Sequence, residues 1–172
     1  GNHEFVFGIE ALEKREKEAN FPFLAANIHK AGTQTNPSWA TPSILRSAGG
    51  ISWGIIGLAN IDTDKATDTI NLKGLSFESY EETLKREVPK LRKQGADEVI
   101  VLLHDRIEAL TQLAPLLTAL NVRIVAGGHA HRPERHVEPG LDNELAEDDI
   151  LFCNAGPYMR TYCRIDLVYQ GK

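Results

Sequence analysis

The feature that most constrains the fold is a pair of apolar segments on either side of a helical pattern. Residues 98–103 (EVIVLL) form an almost continuous apolar run, and residues 122–126 (VRIVA) form a second one. Such runs are typical of parallel strands that are buried on both faces of a sheet. The segment between them, 107–120, has helical spacing and is predicted to be interrupted near Pro115. The order strand, helix, strand predicts a right-handed βαβ crossover in an α/β fold.

The other elements are predicted from apolar spacing, capping residues and turn residues. A surface helix is predicted at 8–19, and a second helix at 79–94 with Ser79 as N-cap and a kink or break at Pro89. Strands are predicted at 23–28, at 43–48 and 51–58 as a hairpin through two glycines, and at 150–154 and 161–169.

The composition limits the kinds of ligand that the chain is expected to bind. A length of 172 residues with 42% hydrophobic residues suits a single domain spanning 1–172. The formal net charge of -5 gives no general attraction to nucleic acid or to anionic membranes. No run approaches the roughly 18 consecutive apolar residues of a transmembrane helix. A phosphate substrate would therefore need local positive charge, which divalent metal ions supply.

The two cysteines, Cys153 and Cys163, lie in the last two predicted strands, around a turn near Gly156 and Pro157. A disulfide between them is compatible with this placement if the protein is exported. The alternative is two buried free thiols on apolar strand faces. We favour the free thiols, because buried free cysteine is common in folded proteins.

Histidines follow both strands of the predicted βαβ unit. His104 comes directly after the first strand, and His129 and His131 come just after the second, in the sequence GGHAH. Because parallel strands end at the same edge of a sheet, the three imidazoles are expected to converge there. The alternation of His129 and His131 predicts that both point the same way. Gly127 and Gly128 are expected to let the backbone turn tightly and approach its neighbours closely.

Asn2 and His3, in the opening sequence GNHE, are predicted to reach the same edge if a strand ends just before Gly1. Amide oxygen and neutral imidazole nitrogen are suitable ligands for divalent Mn, Fe, Zn or Ni. A carboxylate is expected to complete and bridge such a site, and none stands beside these motifs. For any single histidine, a surface or hydrogen-bonded role is the alternative. His29 and His136 have no supporting motif and are interpreted as loop residues.

Three segments, in the same order, resemble the later motifs of the calcineurin-like metallophosphoesterases. They are GNHE at 1–4, VPKLRKQGADEVIVLLHD at 88–105 and GHAH at 128–131. The segments GNHEF, FPFLAANI, GIIGLAN and NAG are similar to the 5′-nucleotidase and cyclic-nucleotide phosphodiesterase branch of that superfamily. The resemblance covers essentially the whole chain. It implies a sandwich of two mixed β-sheets flanked by helices, here without the N-terminal part of the domain.

The resemblance also implies roles for individual residues. Asn2, His104 and His129 would bind one metal ion, and His131 would help to bind a second. His3 would be the catalytic histidine, which contacts the phosphate or protonates the leaving oxygen. Imidazole as a chemical group suits the acid role, because its unperturbed pKa of about 6.5 in model peptides lies close to neutral pH. The implied reaction is hydrolysis of phosphate mono- or diesters, with nucleotides as the expected substrates, by a metal-bound hydroxide. The implied cofactors are two divalent ions, with Mn, Zn, Fe, Ni and Co not distinguishable.

Two departures from the family pattern qualify these expectations. The Asp-x-His and Gly-Asp motifs, which supply the bridging aspartate, are expected upstream of Gly1, so the chain by itself is expected to bind metal weakly and to hydrolyse little. Val6 stands where nucleotidases of this branch usually carry an aspartate that orients the catalytic histidine. This valine favours the alternative of a non-catalytic binding or structural module. A small module that binds metal through His-x-His alone is a third hypothesis, but it does not account for GNHE.

The resemblance gives further expectations about location and partners. It favours an exported, periplasmic or cell-surface location. The base in 5′-nucleotidases is held mainly by a separate C-terminal domain, so the sequence leaves the substrate itself open. A truncated domain is expected to expose a sheet edge, and self-association through that edge is the expected protein contact. No nucleic acid polymer and no membrane is expected as a partner.

Overall fold

A computed structural model describes residues 1–136, 149–158 and 160–166 of the chain. The described residues form four α-helices, eight strands and two short 3-10 helices. The α-helices are α1 (Gly8–Glu18), α2 (Thr63–Ala66), α3 (Tyr80–Lys93) and α4 (Ile107–Ala119), and the 3-10 helices cover Asn2–Phe5 and Thr69–Leu72. The strands are β1 (Ile28–Lys30), β2 (Ser43–Ala48), β3 (Ile51–Leu58), β4 (Leu75–Phe77), β5 (Glu98–Leu103), β6 (Ile124–Gly127), β7 (Pro133–His136) and β8 (Leu151–Ala155). No helix in this part of the chain is both long and apolar enough to cross a membrane.

The main sheet has six strands in the order β2-β3-β5-β6-β8-β7. The four central strands run parallel, and the two outer strands, β2 and β7, pair antiparallel with their neighbours. Strands β1 and β4 form a separate two-stranded antiparallel sheet. The predicted α/β class with two sheets and flanking helices is confirmed. The second sheet was expected to be mixed, but in the described residues it is a single antiparallel pair.

The predicted βαβ unit is β5-α4-β6, and it sets the position of the histidines. Strands β3, β5 and β6 are parallel and adjacent, so their last residues Leu58, Leu103 and Gly127 are neighbours in the register. The backbone N–H of His104 donates to the carbonyl of Leu58 at 3.0 Å, which continues the pairing by one residue. The segments that follow β5 and β6 therefore leave the sheet side by side.

Helices α3 and α4 cover one face of the main sheet with apolar stripes at helical spacing. The buried residues are Leu84, Val88 and Leu91 of α3 and Leu110, Leu113 and Leu117 of α4. They pack with buried side chains of β5 and β8 in one core. Full burial of one such side chain is favourable by about 1.5–3 kcal/mol. The summed free energy of burying these side chains is therefore larger than the cost of individual residues with low helix propensity.

Both prolines that were expected to interrupt helices lie inside continuous ones. Pro89 is within α3 and Pro115 is within α4, so neither proline divides its helix, and the predicted interruption near Pro115 was wrong. The kink that was expected at Pro89 as the alternative to a break stays a prediction. A proline in a helix costs about 3 kcal/mol through a lost hydrogen bond and a clash with the preceding turn. Apolar residues before and after each proline pack on the same sheet face. The free energy gained by burying them exceeds the free-energy cost of the proline.

The strand predicted at 23–28 was also wrong in its bounds. Leu24 makes only an isolated bridge with Thr41, and the strand β1 begins at Ile28. The backbone of Leu24 lies directly against Gly57 of β3, where an added Cβ would overlap the Leu24 carbonyl. This segment therefore crosses the sheet face instead of joining a sheet.

The last predicted strand, at 161–169, is not found over residues 161–166, and residues 167–169 lie outside the described part of the chain. The two histidines interpreted as loop residues lie in strands. His136 belongs to β7, and His29 is a buried residue of β1 whose Nε2 lies 3.4 Å from Oε2 of Glu78. Burial acts to raise the pKa of Glu78, but hydrogen bonds from Thr83 and Arg86 outweigh burial and hold that pKa below its usual value.

Cys153 and Cys163 form a disulfide, so the expectation of free thiols was wrong. Cys153 lies on β8, Cys163 lies in the segment after it, and their Cα atoms are 6.3 Å apart. The short chain segment between them turns back at Gly156, whose φ of 79° is in the left-handed region. This turn brings the two cysteines within bonding distance.

Reduction of the disulfide is expected to lower the free energy of unfolding by about 2–3 kcal/mol, because the short loop it closes is free in the reduced unfolded chain. Urea unfolding with and without reductant measures the change. The double variant Cys153→Ala, Cys163→Ala is the control and should show no response to reductant. An equal response of the variant and the unmodified chain would contradict the prediction.

Candidate metal and active site

Three of the predicted site residues meet at the edge where the parallel strands end. The side-chain oxygen Oδ1 of Asn2 lies 3.2 Å from Nε2 of His104 and 3.3 Å from Nδ1 of His129. The two imidazole rings are 5.3 Å apart between centroids and are nearly perpendicular. Asn2 is buried, and both histidines are partly buried. We call Asn2, His104 and His129 the amide–histidine set.

The other two predicted residues, His3 and His131, form a neighbouring exposed pair. Their ring centroids are 6.3 Å apart and the rings are nearly parallel, with 22° between their planes. His129 and His131 were expected to point the same way, but each contacts a different group. Both have left-handed backbone conformations, with φ of 72° and 55°, so the segment is a bend and not a strand. Such conformations in residues other than glycine cost free energy and concentrate at functional sites.

The glycines around the amide–histidine set let the backbone approach its rings closely. A Cβ added at Gly128 would lie 2.9 Å from Nδ1 of His104, and a Cβ added at Gly1 would overlap the same ring. At Gly127, a Cβ would overlap the ring of Phe152. Close approach at Gly127 and Gly128 was predicted from the sequence, and the structure identifies the neighbouring rings as those of His104 and Phe152.

His104 is the residue of the set with a shifted pKa. Burial lowers the pKa of His104 to about 4, and the neighbouring His129 acts in the same direction. The imidazole is therefore neutral at pH 7. A neutral imidazole is the form that binds a metal ion.

The donor atoms of the set suit a divalent transition metal, since they are one amide oxygen and two imidazole nitrogens. They carry no negative charge to balance such an ion. In residues 1–136, 149–158 and 160–166, no group of three or more His, Cys, Asp or Glu residues is arranged to hold a metal. Throughout the same residues, no carboxylate oxygen is hydrogen-bonded to the set. The set therefore offers ligands for one ion but does not by itself complete a two-ion site.

Asn154, at the end of β8, is a supporting residue to which the sequence analysis assigned no role. It is buried, and its side-chain N–H donates to the carbonyl of Gly128 at 3.3 Å. Its Oδ1 accepts from the backbone N–H of Gly156 at 3.0 Å. Asn154 thus ties the turn before His129 to the turn that carries the disulfide loop. The NAG segment in which it lies was the available signal.

Asp105 supports the other side of the set. One of its oxygens accepts a hydrogen bond from the Tyr80 hydroxyl at 2.7 Å, and the other accepts from the backbone N–H of Arg106 at 2.7 Å. Burial and the charge of Asp105 raise the pKa of Tyr80 well above its usual value, so the hydroxyl remains a donor. These bonds hold the start of α4 directly after His104.

Val6 is half-exposed and follows the 3-10 helix that carries Asn2 and His3. Its backbone N–H donates to the carbonyl of His3 at 3.2 Å. Among the described residues, no side chain makes a hydrogen bond with the His3 ring. The ring of His131, 6.3 Å away between centroids, is the neighbouring aromatic ring of His3 in this part of the chain.

An open cleft of about 660 Å³ lies beside the amide–histidine set. Phe21, Leu24 and Leu102 line its apolar part, and His104 and Gly128 lie at its polar end. Of the amide–histidine set, His104 is therefore the residue that borders this cleft.

The similarity of this chain to known proteins agrees with its fold. Residues 1–133 match the family profile described as calcineurin-like phosphoesterase. The chain belongs to this family.

Among similar proteins are two 5′-nucleotidases. The chain is 28% identical over 152 residues to the one from Vibrio cholerae, and 34% identical over 137 residues to the one from Homo sapiens. These alignments cover 82% and 76% of this chain but only 27% and 23% of the relatives. The chain thus spans about a quarter of the length of these relatives. The crystal structure of the calcineurin-like phosphoesterase YfkN from Bacillus subtilis matches 91% of this chain and 52% of its own, with a TM-score of 0.70 and 22% identity, which shows the shared fold.

Proposed function

We propose that the protein is a metal-dependent phosphoesterase that hydrolyses phosphate mono- or diesters, with nucleotides as its substrate class. The observation that carries this proposal is the contact of Asn2 Oδ1 with a ring nitrogen of both His104 and His129 at the end of the parallel strands. Membership of the calcineurin-like phosphoesterases supports the reaction, and the similarity to 5′-nucleotidases supports the substrate class.

In this proposal, the amide–histidine set holds one divalent ion, and His131 contributes to a second. Mn, Zn, Fe, Ni and Co all suit these donors. When bound, the ions supply positive charge to the phosphate and lower the pKa of water. Because the set lacks a carboxylate partner in the described residues, residues 1–172 alone are expected to bind metal weakly and to hydrolyse little.

His3 is proposed to act as the catalytic residue. Its ring is exposed beside that of His131, so it is accessible to a phosphate bound at the edge of the sheet. An imidazole can hold a proton on one ring nitrogen and donate it to the leaving oxygen. His3 thus orients the phosphate or protonates the leaving group.

The disulfide supports an exported location for the protein. Disulfides persist in oxidising compartments and are rare in the cytosol. The link between Cys153 and Cys163 is therefore consistent with a periplasmic or cell-surface enzyme.

Replacing Asn2 by leucine, which keeps the size but removes Oδ1, tests the metal role. We expect manganese-dependent hydrolysis by the full-length protein to fall by at least about 10–100-fold. Loss of a residue that only hydrogen-bonds to a metal ligand already lowers activity by that range, and Asn2 is proposed to be a ligand itself. Hydrolysis of a chromogenic phosphate ester is measured against manganese concentration. The control is Asn20→Leu, which changes an exposed asparagine after α1. Full activity in Asn2→Leu, or hydrolysis that needs no metal, would exclude the proposal.

A non-catalytic binding module is the second candidate. It is favoured by Val6 and by the lack, among the described residues, of a hydrogen-bond partner for the His3 ring. The two candidates differ in one outcome. A module would bind manganese through the set yet fail to hydrolyse esters, whereas the phosphoesterase does both.

A further inference from the structure

The segment closed by the disulfide carries two exposed side chains next to the candidate active site. The ring of Tyr158 is 76% exposed, and its centroid lies 6.0 Å from that of His131. The guanidinium carbon of Arg160 lies over the same ring, 5.6 Å from its centroid. His3, His131, Tyr158 and Arg160 are therefore successive neighbours, beginning at the proposed catalytic histidine. We call these four residues the aromatic row.

The part of the row beyond His131 is anchored at several points, although its side chains are exposed. The disulfide fixes both ends of the segment, and the buried Asn154 accepts from the N–H of Gly156. The hydroxyl of Thr161 donates to the carbonyl of Ala155. Tyr158 itself has φ of 62°, a conformation that is unfavourable for tyrosine. A bulky exposed ring held in this conformation by its surroundings is typical of a functional contact.

We propose that Tyr158 and Arg160 form a contact site for the base of a nucleotide whose phosphate lies at His3 and His131. This inference rests on the proposed function and adds a recognition site within this domain. Tyr158 and His131 are neighbours, so one small ligand can reach both. An exposed aromatic ring binds a base by stacking, and any of the bases suits because each has a π-face. The guanidinium of Arg160 adds a positive charge that attracts a phosphate ester in a chain of net charge -5.

The test compares two substrates that share a 5-phosphorylated ribose, of which one carries a base and the other does not. The full-length protein with manganese is assayed on adenosine 5′-monophosphate and on ribose 5-phosphate. Tyr158→Leu is expected to raise KM for the nucleotide about five- to tenfold and to leave kcat unchanged. This change is at the low end of the range for loss of base stacking, because the ring is largely exposed. KM for ribose 5-phosphate should stay the same. Tyr158→Phe keeps the ring and should restore the KM for the nucleotide.

The matched control is Tyr162→Leu. Tyr162 lies in the same disulfide-closed segment and is 85% exposed, and its replacement should change neither KM. No change in Tyr158→Leu on either substrate, or equal changes on both, would overturn the base contact while the proposed function stands.

The two proposals fail in distinguishable ways. If the unmodified protein hydrolyses neither ester, the proposed function fails. Calorimetric titration with a methylene phosphonate analogue of adenosine 5′-monophosphate then decides the contact without any turnover. About five- to tenfold weaker binding to Tyr158→Leu than to Tyr162→Leu supports the contact, and equal binding overturns it.

Discussion

Replacing His3 by glutamine is expected to lower kcat for an alkyl phosphate ester by about 10²–10⁴-fold, the usual contribution of a positioned general acid. Glutamine keeps a side chain that can hydrogen-bond to the phosphate, but it cannot transfer a proton. The leaving alkoxide would then depart without protonation. Steady-state kinetics of the full-length protein with manganese measure the loss.

The same variant distinguishes proton donation from phosphate binding when the leaving group is changed. A nitrophenolate is stable without a proton, so His3→Gln should reduce the hydrolysis of a nitrophenyl phosphate far less than that of the alkyl ester. An equal loss on both esters would show that His3 orients the phosphate and does not act as the acid.

Replacing Phe152 by alanine is expected to lower the free energy of unfolding by about 3–5 kcal/mol, the range for a fully buried phenylalanine. The Phe152 side chain is 0% exposed, and its ring lies against Gly127 at the end of β6. Its loss would leave a cavity beneath the turn that leads to His129. Urea unfolding followed by circular dichroism measures the change.

Phe7→Ala provides the matched control for this substitution. Phe7 is 85% exposed, so its truncation leaves no buried cavity and should change the stability by no more than about 0.5 kcal/mol. Similar losses in the two variants would contradict the assignment of Phe152 to the core.

The βαβ unit and the hairpin were predictable from the sequence because their signals are local. Continuous apolar runs defined β5 and β6 to within two residues, and the pair of glycines between β2 and β3 defined the hairpin. The N-cap of α3 was likewise predictable, since Ser79 accepts from the N–H of Glu82 as a capping serine does.

The misplaced elements were those in which packing opposed a local signal. Pro89 and Pro115 signal breaks, yet apolar stripes on both sides of each proline hold the helices against the sheet. Leu24 has strand propensity, but its backbone lies across Gly57. In each case, packing against residues that are distant in the sequence determined the secondary structure.

The sequence by itself determined which residues follow the parallel strands, because apolar runs mark the strands and the next residues necessarily lie at their ends. It thereby brought His104 and His129 to one edge of the sheet. Asn2, which is 102 residues away from His104, was expected at this edge only from the family resemblance and from a strand assumed to end before Gly1. The tertiary structure decided the distances between its side-chain oxygen and the two rings. The disulfide of Cys153 and the contact of Tyr158 with His131 were decided there as well. These contacts depend on how turns and glycines let distant segments approach each other. The distance between such segments in the folded chain cannot be predicted from a local sequence pattern.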